Sequence, residues 1–367
     1  MRIDWQAAQE EAVEHLRQLV RIDTTNPPGN ETAAARYVAG LLEREGIAAQ
    51  VVESAPGRGN VVARLEPDAG GDAGALLLLS HLDVVPAEPE RWRYPPFEGV
   101  LADDYVWGRG TLDTKGLTAQ ELMTLLLLKR HGLRLRRPVV LAATADEEAG
   151  GQHGLAWLIE QHPELVACEY ALNEGGGEGL EVGERRLYLC QTAEKGVCWT
   201  ELVAHGQTGH AAFPHTANPV QRLGRAVGRL GPASLPLHPL PLVRDLMGAW
   251  LEALGPGAPA LETLLGGEVC EATLEPYFGP LARTLNAMLR NTVTPTRLEA
   301  GVRINVIPGE ARAELDGRIL PGVTQEQVVD EVRAAIGADA EEVEVRVKLF
   351  FPAAEGGTDH ALYRTIE

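Results

Sequence analysis

Apolar residues recur along this chain in two rhythms, and their alternation defines most of the expected elements. Ala12, Leu16 and Leu19 fall at helical spacing behind Asp4, a residue suited to cap a first helix. Thr25-Asn26-Pro27-Pro28-Gly29-Asn30 breaks that helix, and Glu31 to Glu45 resumes the helical period until Gly46. Three strand-like runs follow: Ala48 to Val52, Val61 to Leu65 and Ala75 to Ser80. The last contains Leu76 to Leu79 with no polar alternation, which predicts a strand covered on both faces. Phe97 to Leu101 and Tyr105 to Trp107 flank Asp103-Asp104 as a hairpin. Leu117 to Lys129 reads as helix up to His131-Gly132, Pro138 to Ala145 as strand, Gly154 to Gln161 as helix, and Cys168 to Asn173 as strand.

Strands alternating with helices predict an α/β fold with a mostly parallel, helix-covered sheet. The texture changes after about Leu187: Gln191 to Ala204 reads as long antiparallel strands. Pro219 to Arg290 is a Pro- and Leu-rich helical region, and Val302 to Ile319 returns to strand. Helix Gln325 to Ile336 and strand Val343 to Leu349 resume the earlier style. The expected organisation is therefore one domain over residues 1–187, completed by 319–367, with a smaller α+β domain inserted at 188–318. A chain of 367 residues exceeds one typical core, in keeping with two domains.

Composition removes several function classes. The net charge of −19 is spread without a long acidic run, a balance that argues against nucleic acid or an anionic membrane as partner, since both need basic patches. Cys168, Cys190, Cys198 and Cys270 form no C-x-x-C pair, so they read as free thiols in a reducing compartment. The N-terminus, Met1 to Gln6, lacks an apolar signal segment, and runs such as Leu125 to Leu128 are too short to span a bilayer. The expectation is a cytoplasmic protein.

Four short segments carry the chemistry: Ser80-His81-Leu82-Asp83, Thr111-Leu112-Asp113, Asp146-Glu147-Glu148 and Asn173-Glu174. Three of them end or follow an apolar strand, and ligands of parallel sheets bind beyond the carboxyl ends of the strands. Neutral imidazole together with several carboxylates there is what a hydrolytic zinc centre requires. His81 can ligate a metal while Asp83 fixes its other ring nitrogen. Asp113 could be a plain helix cap, but the flanking Gly108, Gly110 and Gly116 fit a close backbone approach to a site. Glu147 and Glu148 leave a strand in different directions, so one can bind metal while the other serves as general base. An isolated Glu-Glu is more often a solvated acidic turn; here it stands among three other segments.

Together S-H-L-D-V-V-P, G-R-G-T-L-D-T-K-G, D-E-E-A-G-G and N-E-G-G-G resemble the acetylornithine deacetylase, desuccinylase, aminoacylase and carboxypeptidase family of dinuclear zinc hydrolases. Further matches are G-H-A-A-F-P-H-T-A-N-P from Gly209, N-V-I-P from Asn305 and D-G-R from Asp316. Trp92 to Gly99 is similar to the dipeptidase, carboxypeptidase and N-acyl-amino-acid hydrolase branches. The resemblance implies a zinc exopeptidase-like catalytic domain with an inserted dimerisation or lid domain, and a homodimer. It implies two zinc ions per subunit, with cobalt or manganese as substitutes. Asp113 would bridge the metals, His81 and Glu174 would complete one, and Glu148 would bind the other. Glu147 would take a proton from the attacking water and pass it to the leaving amine of a peptide or N-acyl amino acid. His210 would help bind the oxyanion, and Asn305 and Arg318 would contact substrate; the alternative for Arg318 is an ion pair with Asp316.

The resemblance also implies a last metal ligand, a histidine near the C-terminus, which this sequence does not supply. Ala361 to Ile366 reads as the start of a helix in which the chain stops, so the expectation is a truncated chain with a weak second metal site. His360 is the available substitute. Two other readings stay open: a non-catalytic relative acting as a binding or assembly subunit, and a structural dimer whose acidic cluster only binds cations.

Overall fold

The computed structural model describes residues 3–67, 73–231 and 235–367, so residues 232–234 of the expected helical region lie outside it. The chain divides into two compact units, Met1–Gly175 and Gly176–Glu367.

In the first unit, helices α1 (Trp5–Arg21) and α2 (Glu31–Arg44) precede strands β1 (Ala49–Ala55), β2 (Arg58–Leu65) and β3 (Leu76–His81). The Asp4 carboxylate caps α1 by accepting the Ala7 amide at 3.2 Å. A hairpin of β4 (Val100–Ala102) and β5 (Tyr105–Trp107) turns on Asp103 and Asp104, both at positive φ. Then come α3 (Lys115–Arg130), β6 (Val139–Thr144), α4 (Leu155–Gln161), α5 (Pro163–Val166) and β7 (Tyr170–Leu172).

The sheet order is β1-β2-β6-β3-β7. β1–β2 and β2–β6 are antiparallel, whereas β6–β3 and β3–β7 are parallel, so the sheet is mixed and its parallel part is β6, β3 and β7. Every residue of β6 is buried. Strand side chains alternate between faces. Val61, Leu78 and Leu141 pack with Leu19, Val38, Leu42 and Leu122 of the first three helices. Val62, Leu77, Leu79 and Val140 face Leu158 and Val166 of α4 and α5. A strand sandwiched this way has no polar face, which is why Leu76 to Leu79 shows no alternation.

The second unit opens with a hairpin of β8 (Gly179–Val182) and β9 (Arg185–Tyr188), then β10 (Ala193–Glu194), β11 (Gly196–His205) and β12 (Gly209–His210). Five helices follow: α6 (Pro219–Gly228), α7 (Pro241–Leu254), α8 (Leu261–Leu265), α9 (Glu271–Phe278) and α10 (Ala282–Met288). The remainder is β13 (Thr292–Ala300), β14 (Val306–Ile307), β15 (Glu310–Ile319), α11 (Gln325–Ile336), β16 (Val343–Phe351), β17 (Ala354–Glu355) and α12 (Ala361–Ile366). An antiparallel sheet, β13-β15-β11-β16, buries Leu202, Ala313, Leu315 and Val343 against Leu223 of α6 and Val328, Val332 and Ile336 of α11. A separate cluster joins Val182 to Met247, Leu274, Phe278 and Leu285 of the helical region.

Three sequence expectations differ from this arrangement. Gln325–Ile336 and Val343–Phe351 do not return to the first sheet; β16 pairs with β11 and α11 packs in the same core. Residues 176–187 also belong to the second unit, because Val182 is buried among its helices. Strand β13 was not anticipated. It carries Pro295 at a register shift on an edge, a position where a missing N–H costs no ladder bond. Among the described residues, no helix is long and apolar enough to cross a membrane.

Helix α3 carries a buried acid behind β3. Ser80 Oγ donates to Glu121 Oε2 at 2.7 Å and Thr118 Oγ1 donates to Ser80 Oγ at 3.0 Å. Burial pushes Glu121 up to about 8 despite the Ser80 bond. An acid whose folded pKa is raised binds its proton more tightly in the native state, so stability present below about pH 4.5 is lost as the pH rises through about 8. Glu121→Gln should flatten that decline. Urea midpoints at pH 5 and pH 8.5 measure it, and a variant with the parent's full decline would refute the assignment.

Candidate metal centre

Strand β3 delivers His81 to the end of the parallel sheet, where its imidazole is 3% exposed. Nδ1 lies 3.0 Å from the backbone carbonyl of Asp83 and 3.4 Å from its Oδ1. A carbonyl oxygen only accepts, so the ring proton sits on Nδ1 and the Nε2 lone pair faces outward. There Nε2 meets Asp113 Oδ1 at 2.9 Å, Glu174 Oε2 at 3.4 Å and Glu147 Oε2 at 3.8 Å. Ligand atoms of His81, Asp113 and Glu174 all lie within 4.8 Å of one another.

An acceptor nitrogen surrounded by acceptor oxygens requires a positive charge between them. A bound proton or a divalent cation can supply it. Burial alone would depress His81, but hydrogen bonds to Asp83 and Glu174 outweigh it and hold the imidazole up at about 11. Glu174 is in turn held below the usual carboxylate range, chiefly by its hydrogen bond to His81. Burial pushes Glu147 up to about 7, and Glu174 and Glu148 add to the shift. The donor set of one imidazole and several carboxylates fits a divalent cation.

Asp83 does more than face the imidazole. It is fully buried, and its carboxylate accepts the amides of Glu147 at 3.0 Å and Glu148 at 3.1 Å. Asn26 Nδ2 donates to the same carboxylate at 2.8 Å. Burial would raise Asp83, yet these bonds and His81 hold it below the usual range. Glu148 stands beside Asp113 and is raised by burial and by that neighbouring charge, but its oxygen is outside the converging set. Sequence reasoning passed over Asn26, whose segment read only as a helix break. Asp146, part of the acidic segment but with no role expected of it, adopts a left-handed φ of 70° immediately before the glutamate pair.

His210, Asn305 and Arg318 belong to the second unit. His210 pairs with Val306 across β12 and β14, and the Ala211 amide donates to the Asn305 carbonyl at 3.0 Å, so His210 and Asn305 share one exposed ribbon. His210 Nδ1 accepts the Ala212 amide at 3.1 Å, which leaves Nε2 as the N–H donor. Arg318 is exposed and pairs with both oxygens of Asp316 at 3.0 and 3.3 Å. His360 accepts the Tyr363 amide at 3.1 Å as the cap of α12.

Residues 77–366 match the model of peptidase family M20/M25/M40. This chain belongs to that family. The N-fatty-acyl-amino acid synthase/hydrolase PM20D1 of Xenopus tropicalis is 31% identical over 319 residues, covering 81% of this chain and 60% of that protein's length. The chain thus spans about three fifths of that relative's length. The M20 family metallo-carboxypeptidase Sso-CP2 of Sulfolobus solfataricus shares its fold, with a TM-score of 0.67 at 19% identity over 97% of this chain and 82% of that one. Bacillus subtilis YXEP, a dinuclear metal-binding peptidase of the M20 family, aligns at a TM-score of 0.58 and 15% identity, covering 95% and 76% of the two chains.

A proton and a divalent cation compete for His81 Nε2 among these carboxylates, so binding the cation should expel a proton. Calorimetric titration of zinc at pH 8 in buffers of differing ionisation enthalpy should report about one proton released per metal at this position. His81→Ala should lose that release together with most of the affinity. Proton-neutral binding by the parent protein would overturn the arrangement.

Proposed function

We propose that this M20-family chain hydrolyses the amide bond of a dipeptide or N-acyl amino acid, with metal held by His81, Asp113 and Glu174. The observation that carries the reading is the convergence of these three groups with Glu147 alongside, on a turn gripped by Asp83. Asp113, whose side chain is 66% exposed, has a second oxygen to share, and Glu148 beside it is the residue to hold a second metal. The dinuclear character of the Bacillus relative supports a pair of ions, and the imidazole–carboxylate donors favour zinc, with cobalt or manganese able to substitute. When bound, the metal supplies Lewis acidity at the scissile carbonyl and acidifies water.

The chain's own residues do the rest. Glu147 stands close enough to His81 Nε2 to face the same water, and burial already raises its affinity for a proton. It takes the proton from the attacking water and returns it to the leaving amine. His210, with Nε2–H exposed, is the donor suited to an oxyanion, and Asn305 on the same ribbon is suited to a substrate polar group. Arg318 can receive a substrate carboxylate only in competition with Asp316. The name of the Xenopus relative supports an N-acyl amino acid as the substrate class. The reading takes the working form as a cytoplasmic homodimer joined through the second unit, where Leu298, Val302 and Ile304 are exposed apolar side chains.

Glu147→Gln tests the mechanism. It should retain metal, as measured by elemental analysis, while kcat on N-acetyl amino acids and dipeptides falls about 10²–10⁴-fold. Near-normal turnover in the variant would remove Glu147 from the role. A parent protein that holds metal and cleaves none of these substrates would make the chain a non-catalytic member of the family.

A further inference from the structure

The segment Thr25 to Asn30, which the proposed chemistry leaves unused, supplies one end of a buried polar network beneath the glutamate turn. Arg58, the first residue of β2, donates from Nε to Glu31 Oε2 at 3.0 Å and from one terminal nitrogen to Glu31 Oε1 at 2.8 Å. The same terminal nitrogen donates to Asp146 Oδ1 at 2.8 Å, and the other donates to the Pro28 carbonyl at 3.1 Å. Asn26 Nδ2 bridges Asp146 Oδ1 at 3.1 Å and Asp83 Oδ2 at 2.8 Å. The second Asp146 oxygen accepts the His153 amide at 3.0 Å. Glu31 and Asp83 are fully buried, Asp146 and Asn26 nearly so.

Each contact restrains the backbone that presents Glu147. Asp146 holds a left-handed φ immediately before it, and Asp83 holds the amides of Glu147 and Glu148. The guanidinium needs the room that Gly29 leaves, since a Cβ there would lie 2.7 Å from Arg58 Cζ and Nε. Glu31 is not among the groups converging on His81 Nε2, and Arg58 and Asn26 bond instead to Glu31, Pro28, Asp146 and Asp83. A buried carboxylate as rigidly placed as Asp146 requires such a counter-charge, and a planar fork meets Glu31 with two bonds while still reaching Asp146.

We propose that Arg58 is a positioning residue for the Glu147–Glu148 turn, acting through Asp146 and the Asn26–Asp83 bridge without touching substrate or metal. The catalytic part of this inference rests on Glu147 as general base; the structural part does not.

Arg58→Met and Arg58→Lys in the purified protein test it with three readouts. Amide exchange at residues 146–149 should be at least about tenfold faster in Arg58→Met, with the amides of β3 and β6 unchanged. Its kcat should fall about 10²-fold while KM and the metal held by His81, Asp113 and Glu174 stay within about twofold, as expected for a misplaced rather than missing group. Arg58→Lys keeps the charge but not the fork, and should recover to within about tenfold of the parent. If Arg58→Met fails to fold, Asn26→Ala cuts the bridge without changing charge and is read the same way. A folded variant with parental exchange at 146–149 would overturn the proposal, as would loss of the metal held by His81, Asp113 and Glu174 in step with kcat. If the parent protein cleaves no substrate, the hydrolase reading fails, and the exchange measurement still decides the role of Arg58.

Discussion

An imidazole nitrogen that faces carboxylate oxygens can be kept there only by a positive charge, and the first unit is arranged around that constraint. His81 has one nitrogen committed to the Asp83 carbonyl and the other aimed at Asp113 and Glu174. Repulsion among the carboxylates would spread the cluster unless the scaffold were stiff. Stiffness comes from β3 and β6, buried on both faces, and from α3, which begins two residues after Asp113. Lys115 in its first turn is fully buried and donates to the carbonyls of Leu19 and Ile22, tying the start of α3 to the end of α1. Burial lowers that lysine to about 8, so the tie is made against a desolvation cost.

The same scaffold separates two duties that a sequence motif merges. In S-H-L-D the aspartate looks like a partner for the histidine ring. Its carboxylate is 3.4 Å from that ring, whereas its closest contacts are with Asn26 and the two glutamate amides. Ring orientation is set largely by the main chain of Asp83, and the side chain is free to organise the next segment. One residue thereby couples the proposed ligand histidine to the proposed base.

Much of this was legible in the chain. Leu76 to Leu79 and Pro138 to Ala145 announce fully covered strands, and Asp103-Asp104 announces a turn at positive φ, because each is a local property. The placement of His81 follows from the first of these strands, and that of Glu174 from the run Cys168 to Asn173. Membership of a sheet is not local: α11 and β16 have the period of an ordinary helix and strand and carry no mark of which sheet they join. Strand β13 falls between the helical region and Val302 to Ile319, and its Pro295 is a residue that an edge strand accepts. Arg58, Glu31 and Asn26 were silent for another reason. Their partners lie 27 to 120 residues away, and nothing in a single arginine announces the carboxylate it will meet.

The order β1-β2-β6-β3-β7 also has a temporal side. β2 and β3 flank a vacancy that only β6 fills, and β6 ends at Thr144. A chain emerging from the ribosome therefore carries two apolar strands whose inner edges lack their native partner for the time it takes to make the intervening segment. Early helices α1 and α2 can shield one face of β2 during that wait, but the edge itself stays open. The strand that joins the two halves of the sheet is thus also the one whose late arrival sets how long the nascent first unit stays prone to pairing with the wrong neighbour.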